Sequence, residues 1–292
     1  MANRSKRLEG NAPGDFFVDD TCIDCGACRW ICPEVFGRDG EYAIVAEQPA
    51  DGRVRRALTA IIACPVGAIG AGPKHDLKGA INGLPETVPG STPADGVHYV
   101  GFHSEKSFGA ASWLIVRPSG NVLVDSPRLN PGLLKRLQAL GGVRYLFLTH
   151  RDDVAEHERL AEHFGLTRIL HRKDITSATA GVEMPIDGTD PIPLGDDLLI
   201  VPTPGHTAGS ACLLYKNYLF TGDHLAFGPG AKHLIAFDRH CWDHWPTQID
   251  SMERLKGYPF EWVLPGHGAP GHLPMAQMAQ AMDTLSDWMR SR

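Results

Sequence analysis

Hydrophobic and polar positions along this chain follow two regimes. Residues 34–45 alternate on either side of Asp39-Gly40 as a hairpin would, and 53–63 carry the apolar spacing of a short helix. From residue 98 onward, strand and helix signals alternate. Segments 113–116, 122–124, 144–148, 198–201, 218–220 and 262–264 read as strands. Pro131 opens a helix over 132–140, and Asp153-x-x-Glu156 has the form of a capping box for the next helix. In that helix His157, Leu160 and Phe164 share one face, which turns His157 toward the core. A further helix is expected near 247–255. Between the regimes, residues 70–97 hold Pro73, Pro85, Pro89, Pro93 and six glycines without sustained periodicity, and read as a semi-extended connection. The expected organisation is a small domain over 14–72, a linker over 73–97 and a larger domain over 98–292.

Charge and composition narrow the function classes. The 292 residues carry 28 Lys+Arg against 34 Asp+Glu, a net charge of −6, which argues against a nucleic-acid binder. No uninterrupted apolar run reaches the ~18 residues of a membrane span, and no apolar segment follows the charged first residues as in a secretory signal. A cytoplasmic protein without nucleic-acid or membrane partners is therefore expected, and in such a compartment clustered cysteines point to metal rather than disulfides. Of seven cysteines, five lie in the first 64 residues, whereas of fourteen histidines only His75 precedes residue 98. Two kinds of metal chemistry are segregated along the chain.

In the first, Cys22-x2-Cys25-x2-Cys28-x3-Cys32-Pro33 has the spacing with which thiolates close around an iron–sulfur cube. A cube needs four corners. In two-cluster proteins the cysteine before proline serves the other cluster, but here there is no second run, only Cys64-Pro65. The arithmetic favours one [4Fe–4S] cluster on Cys22, Cys25, Cys28 and Cys64, with Cys32 spare; a zinc knuckle prefers paired C-x2-C ligands. The segment resembles single-cluster bacterial ferredoxins. Its nine acidic and five basic side chains would suit docking to a basic redox partner.

In the second, hydrophobic strands repeatedly end in His or Asp on Gly/Pro-rich turns: Thr149-His150, Pro204-Gly205-His206-Thr207, Gly222-Asp223 and Pro265-Gly266-His267-Gly268. Such placement lets ligands from distant strands converge at one sheet edge. Their order resembles the metallo-β-lactamase superfamily, and the P-G-H-T-x-G-S form its hydroxyacylglutathione-hydrolase-like branch. The resemblance implies an αββα sandwich following an α+β ferredoxin-like domain. It also implies one or two Zn or Fe ions, with His206 on the first metal, Asp223 bridging and His267 on the second.

The family's H-x-H-x-D-H loop departs here to His150-Arg151-Asp152-Asp153-Val154-Ala155-Glu156-His157. The mapping preferred on sequence places His150 and Asp152 on metal one and His157 on metal two. Glu156 serves either as ligand or base or as a helix cap, and Asp153 as the N-cap. Carboxylate in place of imidazole moves the preference from Zn toward Fe or Mn; flavodiiron proteins of the superfamily also carry a carboxylate there. His224 would orient a ligand or simply occupy a loop. His240 and His244 form a pair only if helical, and His103, Lys106 and Arg128 lie within sequence reach of a substrate.

Of three competing functions the hydrolase is the favoured expectation, because most of the superfamily is hydrolytic. The first is a metal-dependent hydrolase of a small thioester or ester, with Asp223 and Glu156 in catalytic roles. The second is an oxidoreductase passing electrons from the cluster to a non-haem iron. The third is an electron carrier or scaffold with a degenerate metal site.

Overall fold

The computed structural model describes residues 2–231 and 233–292. The N-terminal unit is small because its apolar residues are few and short. Strands Phe36–Asp39 and Tyr42–Val45 form the expected hairpin, Phe17–Val18 pairs antiparallel with Ile69–Gly70, and helices Ala27–Ile31 and Val54–Ala63 pack against these. Asn11 ties the unit's start to this core, donating to the Val18 carbonyl and accepting from the amides of Val18 and Val45.

The larger unit is two sheets face to face. A seven-stranded sheet runs Met184–Ile186, Thr167–His171, Tyr145–Phe147, Val122–Val124, Trp113–Ile115, Val97–Tyr99, Glu86–Thr87. A six-stranded sheet runs Ile192–Pro193, Leu198–Pro202, Ala211–Tyr215, Tyr218–Gly222, Trp262–Pro265, Gly271–His272. Period-two alternation divides the second sheet's side chains between two cores. Ile200, Leu213, Phe220 and Leu264 face the first sheet, while Val201, Cys212, Leu219 and Val263 face the outer helices Trp245–Leu255 and Met275–Arg290. Helices Pro131–Ala139 and His157–Phe164 contribute Leu133, Leu137 and Leu160 to the first core. The expected αββα sandwich is the architecture found.

The stretch read as a linker is more ordered than its prolines suggested. Lys78–Asn82 is a helix against Val54–Ala63, and Glu86–Thr87 adds the last strand to the seven-stranded sheet. Tyr218 donates to the Asp95 carboxylate at 2.8 Å, fixing the end of the crossing. The two units share a wall: the Trp30 ring lies 5.0 Å from that of Tyr99 and stacks on that of Trp113 at 6.3 Å, and Arg128 donates to the Ile62 carbonyl. No helix among the described residues is long and apolar enough to cross a membrane.

Candidate metal centres

In the small unit, the turn Cys22–Cys28 and the Cys64 that ends the second helix meet around one cavity. Cys22, Cys25, Cys28 and Cys64 line it, with Ala43, Ala68 and Ile69. Backbone amides point at the sulfurs: Asp24 and Ala43 donate to Cys22 Sγ at 3.4 Å each, and Ala68 to Cys64 Sγ at 3.2 Å. Burial pushes the Cys25 thiol up to about 12 and the Cys28 thiol well above its ordinary value. Four thiols crowded into an apolar cavity carry their ligand form only around a cation, so the residues fit the iron–sulfur group. Cys32 is fully buried outside this cavity, its sulfur 3.9 Å from Glu34 Oε2.

In the large unit, strand ends bring His150, His206 and Asp223 to one edge. His150 Nε2 lies 3.8 Å from both Asp152 Oδ2 and Asp223 Oδ2, and His206 Nε2 lies 3.8 Å from Asp223 Oδ2. These separations are too long for direct hydrogen bonds, and the side chains gather in two groups close enough to hold an ion, His150 with Asp152 and His206, and His150 with Asp153 and Asp223. Among the described residues, His150 Nε2 and both nitrogens of His206 are buried without hydrogen-bond partners. Burial depresses His150 to about 3 despite the Asp223 charge, so its imidazole is neutral and ready to ligate. The donor set thus fits a cation.

Neighbouring residues aim these ligands. Thr149 Oγ1 lies 3.0 Å from His150 Nδ1 and 2.9 Å from Asp125 Oδ2. An imidazole N–H to the hydroxyl, and the hydroxyl to the carboxylate, leaves Nε2 facing the site. Asp174 is fully buried and accepts from Thr207 Oγ1 at 2.5 Å, Gly209 N at 2.8 Å and Arg151 N at 3.0 Å. It therefore binds the loop of His206 to that of His150.

The acid–histidine part of the first loop departs from the sequence mapping. The expected capping box does not form: the helix starts at His157, Ala155 takes a left-handed φ of 30°, and the Glu156 amide donates to Ser126 Oγ instead. Asp153, freed from capping, turns inward and is buried; its Oδ2 lies 4.0 Å from His150 Nδ1. Burial, then the Asp223 carboxylate, raises its pKa well above the usual range. Asp125, by the same two causes although Thr149 opposes them, rises to about 8. His157 does not join the centre: it is buried against Thr167–His171, where Arg168 donates to its Nδ1 at 3.1 Å. Glu156 does not join it either, since Lys106 at 2.9 Å and Arg159 at 2.5 Å hold its carboxylate on the other side and keep it ionised.

His267 is at the edge but turned. Its Nδ1 lies 2.8 Å and 2.9 Å from the two Asp223 oxygens, and its Nε2 lies 3.3 Å from the Phe108 carbonyl. Both partners only accept, so both ring nitrogens donate. Burial opposes that charge, but the Asp223 carboxylate outweighs it and lifts the pKa to about 10. The remaining candidates have structural places. His103 donates from Nδ1 to the Gly109 carbonyl and accepts from the Tyr99 hydroxyl, both at 2.7 Å. His244 caps Trp245–Leu255, whereas His240 lies in a separate turn. His224 is buried with neither nitrogen paired among the described residues.

Asp125 and Asp174 are the positions that sequence reasoning missed, and Asp153 reads there only as a helix cap. The signals were the adjacent carboxylates Asp152-Asp153 after His150, and aspartates following the strands Val122–Val124 and Thr167–His171.

Residues 107–267 match the family model of the metallo-β-lactamase superfamily. The chain belongs to that superfamily. The match is to the superfamily as a whole and singles out no branch. Residues 18–71 match the model described as the 4Fe-4S single cluster domain of Ferredoxin I, which gives this superfamily member an iron–sulfur domain. Solved structures with a similar fold include the BLEG-1 B3 metallo-β-lactamase, 18% identical, covering 65% of this chain and 99% of that one with a TM-score of 0.50. Others are ETHE1 from Myxococcus xanthus (20% identical, 65% and 84% covered, TM-score 0.49) and FEZ-1 metallo-β-lactamase from Legionella gormanii (17%, 71% and 96%, 0.48).

Proposed function

We propose that this protein is an oxidoreductase acting on a small molecule, with a single iron ion in the second domain and a [4Fe–4S] cluster in the first. The observation that carries the reading is the donor set at the sheet edge. His150, Asp152 and His206 gather closely enough to hold one ion, Asp223 lies 3.8 Å from both histidines, a second grouping with Asp153 and Asp223 shares His150 with the first, and neither His157 nor Glu156 lies with them. A carboxylate-rich N/O set suits iron better than zinc. When bound, the iron would supply one-electron chemistry and the cluster low-potential electrons.

The chain's own residues hold and orient that chemistry. Cys22, Cys25, Cys28 and Cys64 would bind the cluster. Thr149 and Asp125 orient His150, Asp174 fixes the loops of both histidines, and Asp152, half exposed, leaves an open side for a small substrate. The net negative charge of residues 14–72 suits docking of a basic electron donor.

Anaerobically purified protein should contain about four cluster irons, four sulfides and one further iron per chain. Element-resolved metal analysis with EPR on the same sample tests this. A hydrolytic reading is favoured by one observation, the buried Asp153 Oδ2 beside His150, a carboxylate placed to accept a proton. Zinc at the second site, with thioester or ester turnover indifferent to cluster reduction, would establish that reading and remove the redox one.

A further inference from the structure

The two candidate centres are not merely tethered; one short loop touches both. Gly109 takes a φ of +86°, and a Cβ built on it would stand 2.8 Å from Cys25 Sγ and 3.1 Å from Pro65. Only glycine lets the backbone lie directly on this cysteine. The preceding residue, Phe108, offers its carbonyl to His267 Nε2 at 3.3 Å, and His267 Nδ1 reaches Asp223 at 2.8 Å. Asp223 in turn faces His150 and His206. The loop is clamped on both sides: the Gly109 carbonyl accepts from His103, the Gly109 amide donates to Ser104, and the Ala111 amide donates to the Gly266 carbonyl. A second contact path exists beside it. Trp30 stacks on Trp113, whose indole N–H donates to the Pro265 carbonyl at 3.0 Å.

We infer that Gly109, the Phe108 carbonyl and His267 form the electronic link between the cluster and the second-domain site, and that His267 serves as this link rather than as a metal ligand. Coupling for electron transfer decays less steeply through covalent and hydrogen bonds than across van der Waals gaps. From Cys25 to Asp223 this route has one van der Waals contact, at Gly109. The aromatic route must also step through space between Trp30 and Trp113, whose ring centroids are 6.3 Å apart. His267 fits the role because its ring bridges Asp223 and the Phe108 carbonyl, and it belongs to neither group of side chains gathered closely enough to hold an ion. One electron travels: the reduced cluster gives it up and a ferric ion at the second site takes it to become ferrous. No bond is made or broken along the link, and an external low-potential one-electron donor replaces the electron.

The inference rests on the redox reading above, and the test separates the two. Full-length protein carrying both centres is reduced by one electron in a light flash, and freeze-quench EPR follows the loss of the cluster signal and of the ferric signal. His267→Leu should keep its cluster and second-site iron yet slow the transfer at least tenfold. His267→Gln, which retains a donor toward Phe108, should stay within about threefold of the parent, and so should Trp30→Leu. Loss of the second-site iron in H267L would make His267 a ligand and overturn the inference. Parent-like transfer in H267L, or slowing confined to W30L, would overturn the route while leaving the redox reading intact. A cluster signal that persists in the parent with the ferric signal unchanged would overturn both.

Discussion

Asp174 offers the sharpest test of how the second-domain site is held together. Its carboxylate is fully buried and accepts three hydrogen bonds, two from backbone amides and one from a hydroxyl. In Asp174→Ala the Thr207 hydroxyl keeps Ser210 Oγ at 2.7 Å, but the Gly209 and Arg151 amides lose their acceptor. A buried donor left unmade costs roughly 1–3 kcal/mol. Gly209 should pay most of that, and Arg151 less because water reaches it. Relief from burying an uncompensated carboxylate offsets a part. The expected loss is about 2–4 kcal/mol, read as a lowered urea midpoint. Asp174→Asn, whose carbonyl still accepts on one side, should fall between. Because Asp174 joins the loops of His150 and His206, the alanine variant should also lose second-site metal on dialysis while its cluster absorbance stays unchanged. A variant within about 0.5 kcal/mol of the parent that holds metal equally well would refute this account.

Other outcomes follow from the same geometry. Cys64→Ser should abolish the cluster and Cys32→Ser should leave it, as counted by iron and sulfide, since Cys64 lines the cavity and Cys32 does not. His157→Asn should keep the parent's full second-site metal content, whereas Asp152→Ala should weaken metal retention at least tenfold in chelator competition. His103 is buried neutral with its pKa depressed to about 3, against roughly 6.5 in the unfolded chain. Below pH 6.5 the unfolded chain therefore takes up a proton that the folded one refuses, and stability falls as pH drops. The contribution is about 1.4 kcal/mol per pH unit, or roughly 2 kcal/mol between pH 6.5 and 5. The urea midpoint of His103→Gln should be correspondingly less sensitive to pH over that range.

The sequence made the two-unit architecture legible because both signatures are local. Cysteine spacing marks the cavity directly, and histidines at strand ends mark the edge where strands must converge. Leu198–Pro202 and Tyr218–Gly222 could be read from short apolar runs. Thr167–His171 and Gly271–His272 could not, having too few apolar residues in alternation to stand out. The Asp153–His157 segment failed for a more specific reason. Asp153-x-x-Glu156 satisfies the capping pattern, but Ser126, thirty residues away, supplies the acceptor that the cap would have provided. A tertiary hydrogen bond thereby released the aspartate inward and left the histidine facing Arg168. No spacing rule contains Ser126. The contacts between the units were equally hidden, since Trp30 meets Tyr99 and Trp113 only in three dimensions and the approach to Cys25 depends on an absent side chain at Gly109.

The strand Glu86–Thr87 carries a practical consequence for anyone wishing to separate the halves. Cut at residue 97, the larger half would begin with Val97–Tyr99 exposed along a raw border of unpaired amides and carbonyls. Such borders recruit neighbours, and a fragment trimmed there should clump on expression where one beginning near residue 84 would not. The ordered crossing thus acts as a selvage that keeps the fabric from fraying, and the apparent spacer is unavailable for shortening by engineering or by chance.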